Sequence, residues 1–210
     1  VYEDGLVIGR GAQDNKSAAV MGLYLLKGIK EMGISLRHPA ALYLGCSEEC
    51  GMQDLDYFLS HYQAPGVSLI ADCGFPACYG EKGSMTVTIR TGRKSLLSNV
   101  EVEAGVAHNI IPGTAKIRFE ISKEKYSLEA EGVSGHSAFP EGSVNALCVL
   151  LGKMMEFPML PEEEKNTLRP LWKFTETTDG SVAGISKKDS LLGDLTCCGT
   201  MLTFDKGTWC

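Results

Sequence analysis

The spacing of apolar and polar residues predicts short strands and amphipathic helices in alternation over the first part of the chain. Residues 17–32 place Val20, Leu23 and Tyr24 at helical spacing, and Gly33 follows where a helix is expected to end. The predicted elements are a strand at 2–8, a helix at 17–32, a strand at 40–44, a helix at 54–61 and a strand at 67–71. This alternation is typical of an α/β fold with a mostly parallel sheet.

The pattern changes after Asp72, where strands follow one another with local connections. The predicted elements are strands at 79–90, 100–103, 114–121, 126–132 and 195–204, a linker at 93–99, a turn at Pro112-Gly113 and a helix at 143–155. The charged run 162–166 is interpreted as a solvated segment without chemistry. Such an order predicts a smaller α+β unit. With a boundary near residue 92, the two predicted domains are 1–91 and 92–210.

Composition excludes several classes of function. Of the 210 residues, 44% are hydrophobic and 22% charged, as in an ordinary soluble globular protein. The net charge of −6 argues against nucleic acid as a main partner, because no basic surface stripe is available for phosphates. No apolar stretch approaches the roughly 20 residues that span a bilayer. The eight cysteines lie mostly in apolar runs or beside small residues, which predicts reduced, buried thiols and a cytoplasmic location.

Carboxylates follow the predicted strands at the positions where α/β sheets bind ligands. Glu48 and Glu49 come shortly after the strand at 40–44, and Asp72 comes directly after the next strand. Asp14 lies in a glycine-rich turn that leads into a helix. Adjacent carboxylates repel each other unless a cation or a shared proton separates them. Their oxygens suit divalent metals, so together the acids predict a metal site with one carboxylate left to move protons.

Each acid also has a structural explanation. Asp14 could be a helix N-cap, because aspartate is favoured there. Glu48 and Glu49 could form a solvated pair in a loop, and Asp72 could be a turn former before Gly74. The arrangement of all of them on alternating elements is what favours the metal site.

The chain resembles a known family, the dinuclear-zinc dipeptidases of the aminoacylase/carboxypeptidase superfamily. The matching segments occur in the same order and span most of the chain. They are GRGAQDNK at 9–16, SEECG at 47–51, ADCGFP at 71–76, YGEKG at 79–83, AHNIIP at 107–112 and GVSGHSAFP at 132–140.

The resemblance implies an incomplete metal-binding catalytic domain at 1–91 and an incomplete α+β lid domain at 92–210. Asp14 would bridge two zinc ions, while Glu49 would bind one of them and Asp72 the other. Glu48 would be the general base. The implied cofactor is zinc, two ions per complete site, with manganese or cobalt as alternatives.

The resemblance also implies two residues that act on the substrate. Asn109 would contact the substrate, and His136 would help to hold the oxyanion or the substrate carboxylate. Without the resemblance, His136 would be interpreted as an ordinary histidine at a turn.

Two metal-binding histidines of the family are expected upstream of Gly9 and beyond Cys210, outside this sequence. Asn15 and Ser17 stand where the family usually has Asp and Gly. The chain is therefore expected to be a partial enzyme, truncated at both ends, with little or no peptidase activity by itself.

The leading hypothesis is zinc-dependent hydrolysis of dipeptides or small peptides, with a homodimer through the lid as a further expectation. An amidohydrolase that removes the acyl group from N-acyl amino acids is the alternative within the enzyme class. A non-catalytic module is the alternative outside it, since Asn15 replaces an expected acid. A structural zinc protein that uses thiolates such as Cys46 and Cys73 is also considered, although their spacing is a weak zinc signal.

Overall fold

The computed structural model describes residues 1–9, 11–12, 14–48, 51–74 and 76–210. The chain divides into two compact units, Val1–Tyr79 and Gly80–Cys210. Helices and strands are mixed along the chain, so the α/β class is confirmed in this coarse sense. The catalytic role predicted for 1–91 and the lid role predicted for 92–210 stay predictions.

The first unit contains one hairpin and two helices. Strands β1 (Tyr2–Glu3) and β2 (Leu6–Val7) pair antiparallel. The helices are α1 (Lys16–Glu31) and α2 (Gln53–His61), within one residue of the predicted helices at each end. Helix α1 is followed by Gly33 at φ +64°, a left-handed conformation that glycine adopts without a steric penalty.

The parallel sheet predicted for the first unit is not confirmed. Residues 40–44 and 67–71 form no hydrogen-bonded strand, and neither do residues 79–90. Leu69 and Ile70 are 94% and 82% exposed, whereas a central parallel strand is buried on both faces. Apolar spacing identified these runs, but a strand also requires a neighbouring strand to accept its backbone hydrogen bonds.

The second unit is built on an antiparallel sheet of three strands in the order β3-β5-β6. The bounds of its elements are β3 (Ser98–Ala104), β4 (Ile110–Ile111), β5 (Thr114–Ile121), β6 (Glu124–Glu131), β7 (Gly135–His136), α3 (Ala146–Glu156), α4 (Glu162–Thr175), β8 (Lys188–Asp189), β9 (Gly193–Asp194), β10 (Phe204–Asp205) and β11 (Thr208–Trp209). The prediction for 114–121 is confirmed to the residue, and the ends of the strands predicted at 100–103 and 126–132 differ from those observed by one or two residues.

The hydrophobic core of the second unit lies between this sheet and helices α3 and α4. Alternate residues of β5, Ala115, Ile117 and Phe119, are buried, as expected for a strand with one face on the core. Helix α3 buries the residues Ala146, Leu147, Leu150, Leu151 and Met154. No described residue of the first unit is buried to this degree, so the burial of apolar side chains is concentrated in the second unit.

One prediction for the second unit is wrong at a single residue, and another is wrong as a whole. The run 162–166, interpreted as a solvated segment, begins with the first turn of α4, where acidic side chains are favoured by the helix dipole. Glu162, Glu163 and Asn166 are exposed, but Glu164 is buried. The strand at 195–204 is replaced by the hairpin β10–β11, so that only its last residue is in a strand. Backbone bonds from Leu202 to Ala104 and from Thr203 to Cys210 hold this segment instead.

Glu164 is a buried carboxylate within that first turn and is 1% exposed. Its Oε1 accepts hydrogen bonds from Ser95 Oγ and from the indole nitrogen of Trp209, both at 2.7 Å. Its Oε2 accepts one from the backbone N–H of Leu96 at 2.7 Å. The side chain thereby links α4 to the start of β3 and to the C-terminal hairpin, and this distribution of donors offsets the cost of burying a charge.

We expect Glu164→Ala to lower the free energy of unfolding of the second unit by about 2–4 kcal/mol, because it leaves the buried indole N–H without a partner. Urea titration followed by the fluorescence of Trp172 and Trp209, both in the second unit, measures the change.

Glu163→Ala is the matched control, because this neighbour is exposed and should change stability by less than about 1 kcal/mol. Equal effects of the two substitutions would contradict a specific role for Glu164.

Candidate functional site

The side chain of Asn15 connects the start of α1 to the segment that carries Asp72. Its Oδ1 accepts a hydrogen bond from the backbone N–H of Ala18 at 3.3 Å, which makes Asn15 the N-cap of α1. Its Nδ2 donates to Asp72 Oδ1 at 3.0 Å and to the carbonyl oxygen of Ala71 at 2.5 Å. The structure therefore places Asp72 beside the turn that contains Asp14.

The N-cap explanation considered for Asp14 applies to Asn15 instead. Asp14 is exposed and joined to Asn15 by a cis peptide bond. Asp72 is also exposed. Both side chains end in carboxylate oxygens, which are suitable ligands for a divalent cation.

Glu49, the third predicted metal ligand, lies outside the described residues. Among the residues that the structure describes, no three His, Cys, Asp or Glu side chains come together as a metal-binding group. The convergence of Asp14, Glu49 and Asp72 on two zinc ions therefore stays a prediction.

Glu48 lies in a turn that a second acid, Asp54, holds in place. The turn is closed by a backbone hydrogen bond from Met52 N–H to the carbonyl oxygen of Ser47 at 2.8 Å. Asp54 accepts hydrogen bonds from Ser47 Oγ at 2.7 Å, from the backbone N–H of Cys46 at 2.6 Å and from Tyr43 Oη at 3.1 Å. These hydrogen bonds hold Cys46 and Ser47, the two residues before Glu48, in position.

Asp54 was missed as a functional candidate because it fits its place in the first turn of α2 without further explanation. The hydrogen bond from Ser47 and the N–H of Cys46 lower its pKa from 3.8 to about 2, since these donors favour the charged carboxylate. Loss of hydration and the hydrogen bond to Asp54 raise the pKa of Tyr43. The members of this network, Tyr43, Cys46, Ser47 and Asp54, are spread over twelve positions and could not have been assigned to it from sequence spacing alone.

In the second unit, the structure brings together the segments of Asn109 and His136. Strand β4 pairs antiparallel with β7, so that Ile110 lies opposite His136. The carbonyl oxygen of Asn109 accepts a hydrogen bond from the backbone N–H of Ser137 at 2.9 Å. His136 is exposed, and its ring centroid lies 5.9 Å from that of Phe139. Both predicted substrate-contacting residues thus stand on neighbouring segments of one unit.

A model of the peptidase family M20/M25/M40 matches residues 1–149. The chain belongs to this family. The match covers the segments of Asp14, Glu48, Asp72, Asn109 and His136, and the resemblance drawn from those motifs is confirmed.

Two curated relatives align with nearly the whole chain. The Beta-Ala-Xaa dipeptidase of Lactobacillus delbrueckii subsp. lactis is 23% identical over 234 residues, which are 98% of this chain and 50% of that protein. The putative dipeptidase YtjP of Bacillus subtilis (strain 168) is 24% identical over 226 residues, 92% of this chain and 48% of that protein. The chain spans about half the length of the curated relatives that it matches.

The other predictions about the environment of the protein are tested only in part. Within the described ranges, no helix has both the length and the apolar character that a membrane span requires. Cys46, Cys73 and Cys78 are exposed, so the prediction of buried cysteines is wrong for these three.

We expect Asn15→Asp to separate the two roles of Asn15. Aspartate still caps α1, but it has no N–H to donate and its charge repels that of Asp72. Backbone NMR signals of residues 71–72 should therefore shift, while the N–H of Ala18 stays protected from exchange.

Asn15→Ala is the comparison variant, because it removes both roles and should also expose the N–H of Ala18. Unchanged signals at residues 71–72 in both variants would show that Asn15 does not hold the segment of Asp72.

We expect the turn before α2 to lose stability on acidification between about pH 4 and pH 2. The pKa of Asp54 is lowered in the folded state, so its contribution is present above the unfolded value and is lost as the pH falls towards about 2. Hydrogen exchange at the N–H of Cys46 measures the opening of the turn.

Asp54→Asn should remove this pH dependence and leave exchange fast throughout the range. Asp56→Asn is the matched control, because Asp56 is an exposed acid in the same helical turn. The same acid response in both variants would contradict the role of Asp54.

Proposed function

We propose that this chain carries active-site residues of a metal-dependent dipeptidase. The observation that carries the proposal is the family match over residues 1–149, which includes each motif with a candidate functional residue. The names of the two curated relatives favour dipeptides as the substrate class. The predicted domain roles, a cytoplasmic location and a homodimer through residues 92–210 belong to the same proposal.

The proposed metal ligands in this chain are Asp14, Glu49 and Asp72. The link through Asn15 supports the pairing of Asp14 with Asp72. Zinc bound there would polarise the scissile carbonyl and would lower the pKa of a bound water towards neutrality. Hydrogen bonds to a ligand carboxylate orient it, which is the role we assign to the amide of Asn15.

Glu48 is proposed as the general base. Its carboxylate takes a proton from the attacking water and passes it to the nitrogen of the leaving amine, so that a neutral amine departs. A general base is efficient only if its carboxylate stays oriented towards the attacking water. The hydrogen bonds of Asp54 to Ser47 and Cys46 hold the turn that carries Glu48.

Asn109 and His136 are proposed to hold the substrate. Both are polar, exposed and carried by neighbouring segments, so they can donate hydrogen bonds to the same small ligand. A donor directed at a developing oxyanion contributes about 3 kcal/mol to transition-state stabilisation in other hydrolases.

The experiment is a substrate panel on the natural-length protein that carries this sequence, with zinc supplied. We expect hydrolysis of dipeptides in preference to N-acyl amino acids, and a loss of kcat of about 100-fold or more in Glu48→Gln, with bound zinc unchanged.

Glu31→Gln is the matched control, because Glu31 is an exposed acid at the end of α1 that pairs only with Lys27 among the described residues. Preferred cleavage of N-acyl amino acids would favour the deacylase alternative. A protein that binds no zinc and cleaves neither class would overturn the proposal.

A further inference from the structure

The four residues from His136, the last residue of β7, to Phe139 form a tight turn. The backbone N–H of Phe139 donates to the carbonyl oxygen of His136 at 2.9 Å, and the N–H of Ser137 donates to the carbonyl oxygen of Asn109 at 2.9 Å. The N–H of Ala138, between them, donates to the ring nitrogen Nδ1 of His136 at 3.1 Å. Three successive backbone donors are therefore satisfied, and the imidazole of His136 is one of the acceptors.

The bond from Ala138 determines which ring nitrogen of His136 carries the proton. A backbone N–H can only donate, so Nδ1 must accept with its lone pair. In a neutral imidazole one nitrogen accepts and the other donates, which places the proton on Nε2. The turn thus favours the tautomer in which the outer edge of the ring is a hydrogen-bond donor.

We propose that the backbone N–H of Ala138 is a positioning group that holds neutral His136 in the Nε2–H tautomer. The ring then offers the substrate a donor, and Nδ1 is not available as a base. The tautomer itself follows from the turn, whereas its use on a substrate oxygen rests on the proposed function.

His61 provides an internal contrast within the same chain. Its Nδ1 lies 2.9 Å from the carbonyl oxygen of Tyr57 and 2.8 Å from Ser60 Oγ. Ser60 already donates its hydroxyl proton to the carbonyl of Tyr57 at 2.7 Å, and a carbonyl can only accept. Nδ1 of His61 must therefore carry a proton, so neutral His61 adopts the opposite tautomer to neutral His136.

The direct test is NMR of the 210-residue chain labelled with ¹⁵N at its four histidines, at about pH 8, where a histidine with an ordinary pKa is neutral. Correlations between the ring nitrogens and the carbon-bound ring protons identify the tautomer, and His136→Asn and His61→Asn assign the signals. We expect Nε2–H at His136 and Nδ1–H at His61. A dominant Nδ1–H form or an even mixture at His136 would overturn the proposal.

Ala138→Pro tests the cause, because proline has no backbone N–H. We expect a mixture of tautomers at His136 and no change at His61. Ala138→Gly keeps the N–H and should retain the Nε2–H form. If proline also disturbs the pairing of β4 with β7, the glycine variant and the unsubstituted chain still decide the question.

The functional arm uses the natural-length protein with a dipeptide. We expect Ala138→Pro to lower kcat by about 10-fold to 100-fold with a smaller change in KM, the range seen when partners that orient imidazoles at metal sites are lost. Absence of dipeptide cleavage in the unsubstituted protein would defeat the proposed function and leave the tautomer decided by NMR. Unchanged kcat in a proline variant with mixed tautomers would refute the positioning role.

Discussion

A backbone N–H in a turn lacks the regular partner that a helix or strand supplies, so another carbonyl, a side chain or water must accept its hydrogen bond. Each described turn with a candidate functional residue meets this constraint with one polar side chain. Asn15 caps α1 and holds Asp72, Asp54 accepts from Cys46 before Glu48, and His136 accepts from Ala138. In the first two turns the supporting side chain, Asn15 or Asp54, is a neighbour of the candidate residue, whereas in the third the candidate residue His136 is itself held by the backbone.

Apolar periodicity predicted the local elements well where the core is formed within the same unit. The strand at 114–121 was predicted to the residue because its alternate side chains pack on α3. The runs 40–44 and 67–71 have the same apolar character, but no described strand pairs with them. Periodicity indicates which side chains are suited to burial, and it contains no information about the partner that would bury them.

Motif spacing located the candidate residues, and the family match covers them. The motifs did not reveal the neighbouring groups that hold these residues in place. Glu164 belonged to a run that was interpreted as solvated, although its carboxylate joins three segments far apart in sequence. Asp54 and the N–H of Ala138 were missed for the same reason. Hydrogen bonds between side chains and turns depend on tertiary positions, and the residue types involved are also common in turns without such roles.

The replacement of an expected acid by Asn15 changes the electrostatics of the first unit in a definite direction. An aspartate there would add a negative charge beside Asp72, whereas the amide donates a hydrogen bond to it. A carboxylate has about four lone-pair sites, so a single bond from Asn15 leaves Asp72 with capacity for a cation. Substitution by asparagine therefore lowers the repulsion that a bound cation would otherwise have to offset. The same hydrogen bond keeps the carboxylate of Asp72 oriented, so asparagine at this position is compatible with a metal site.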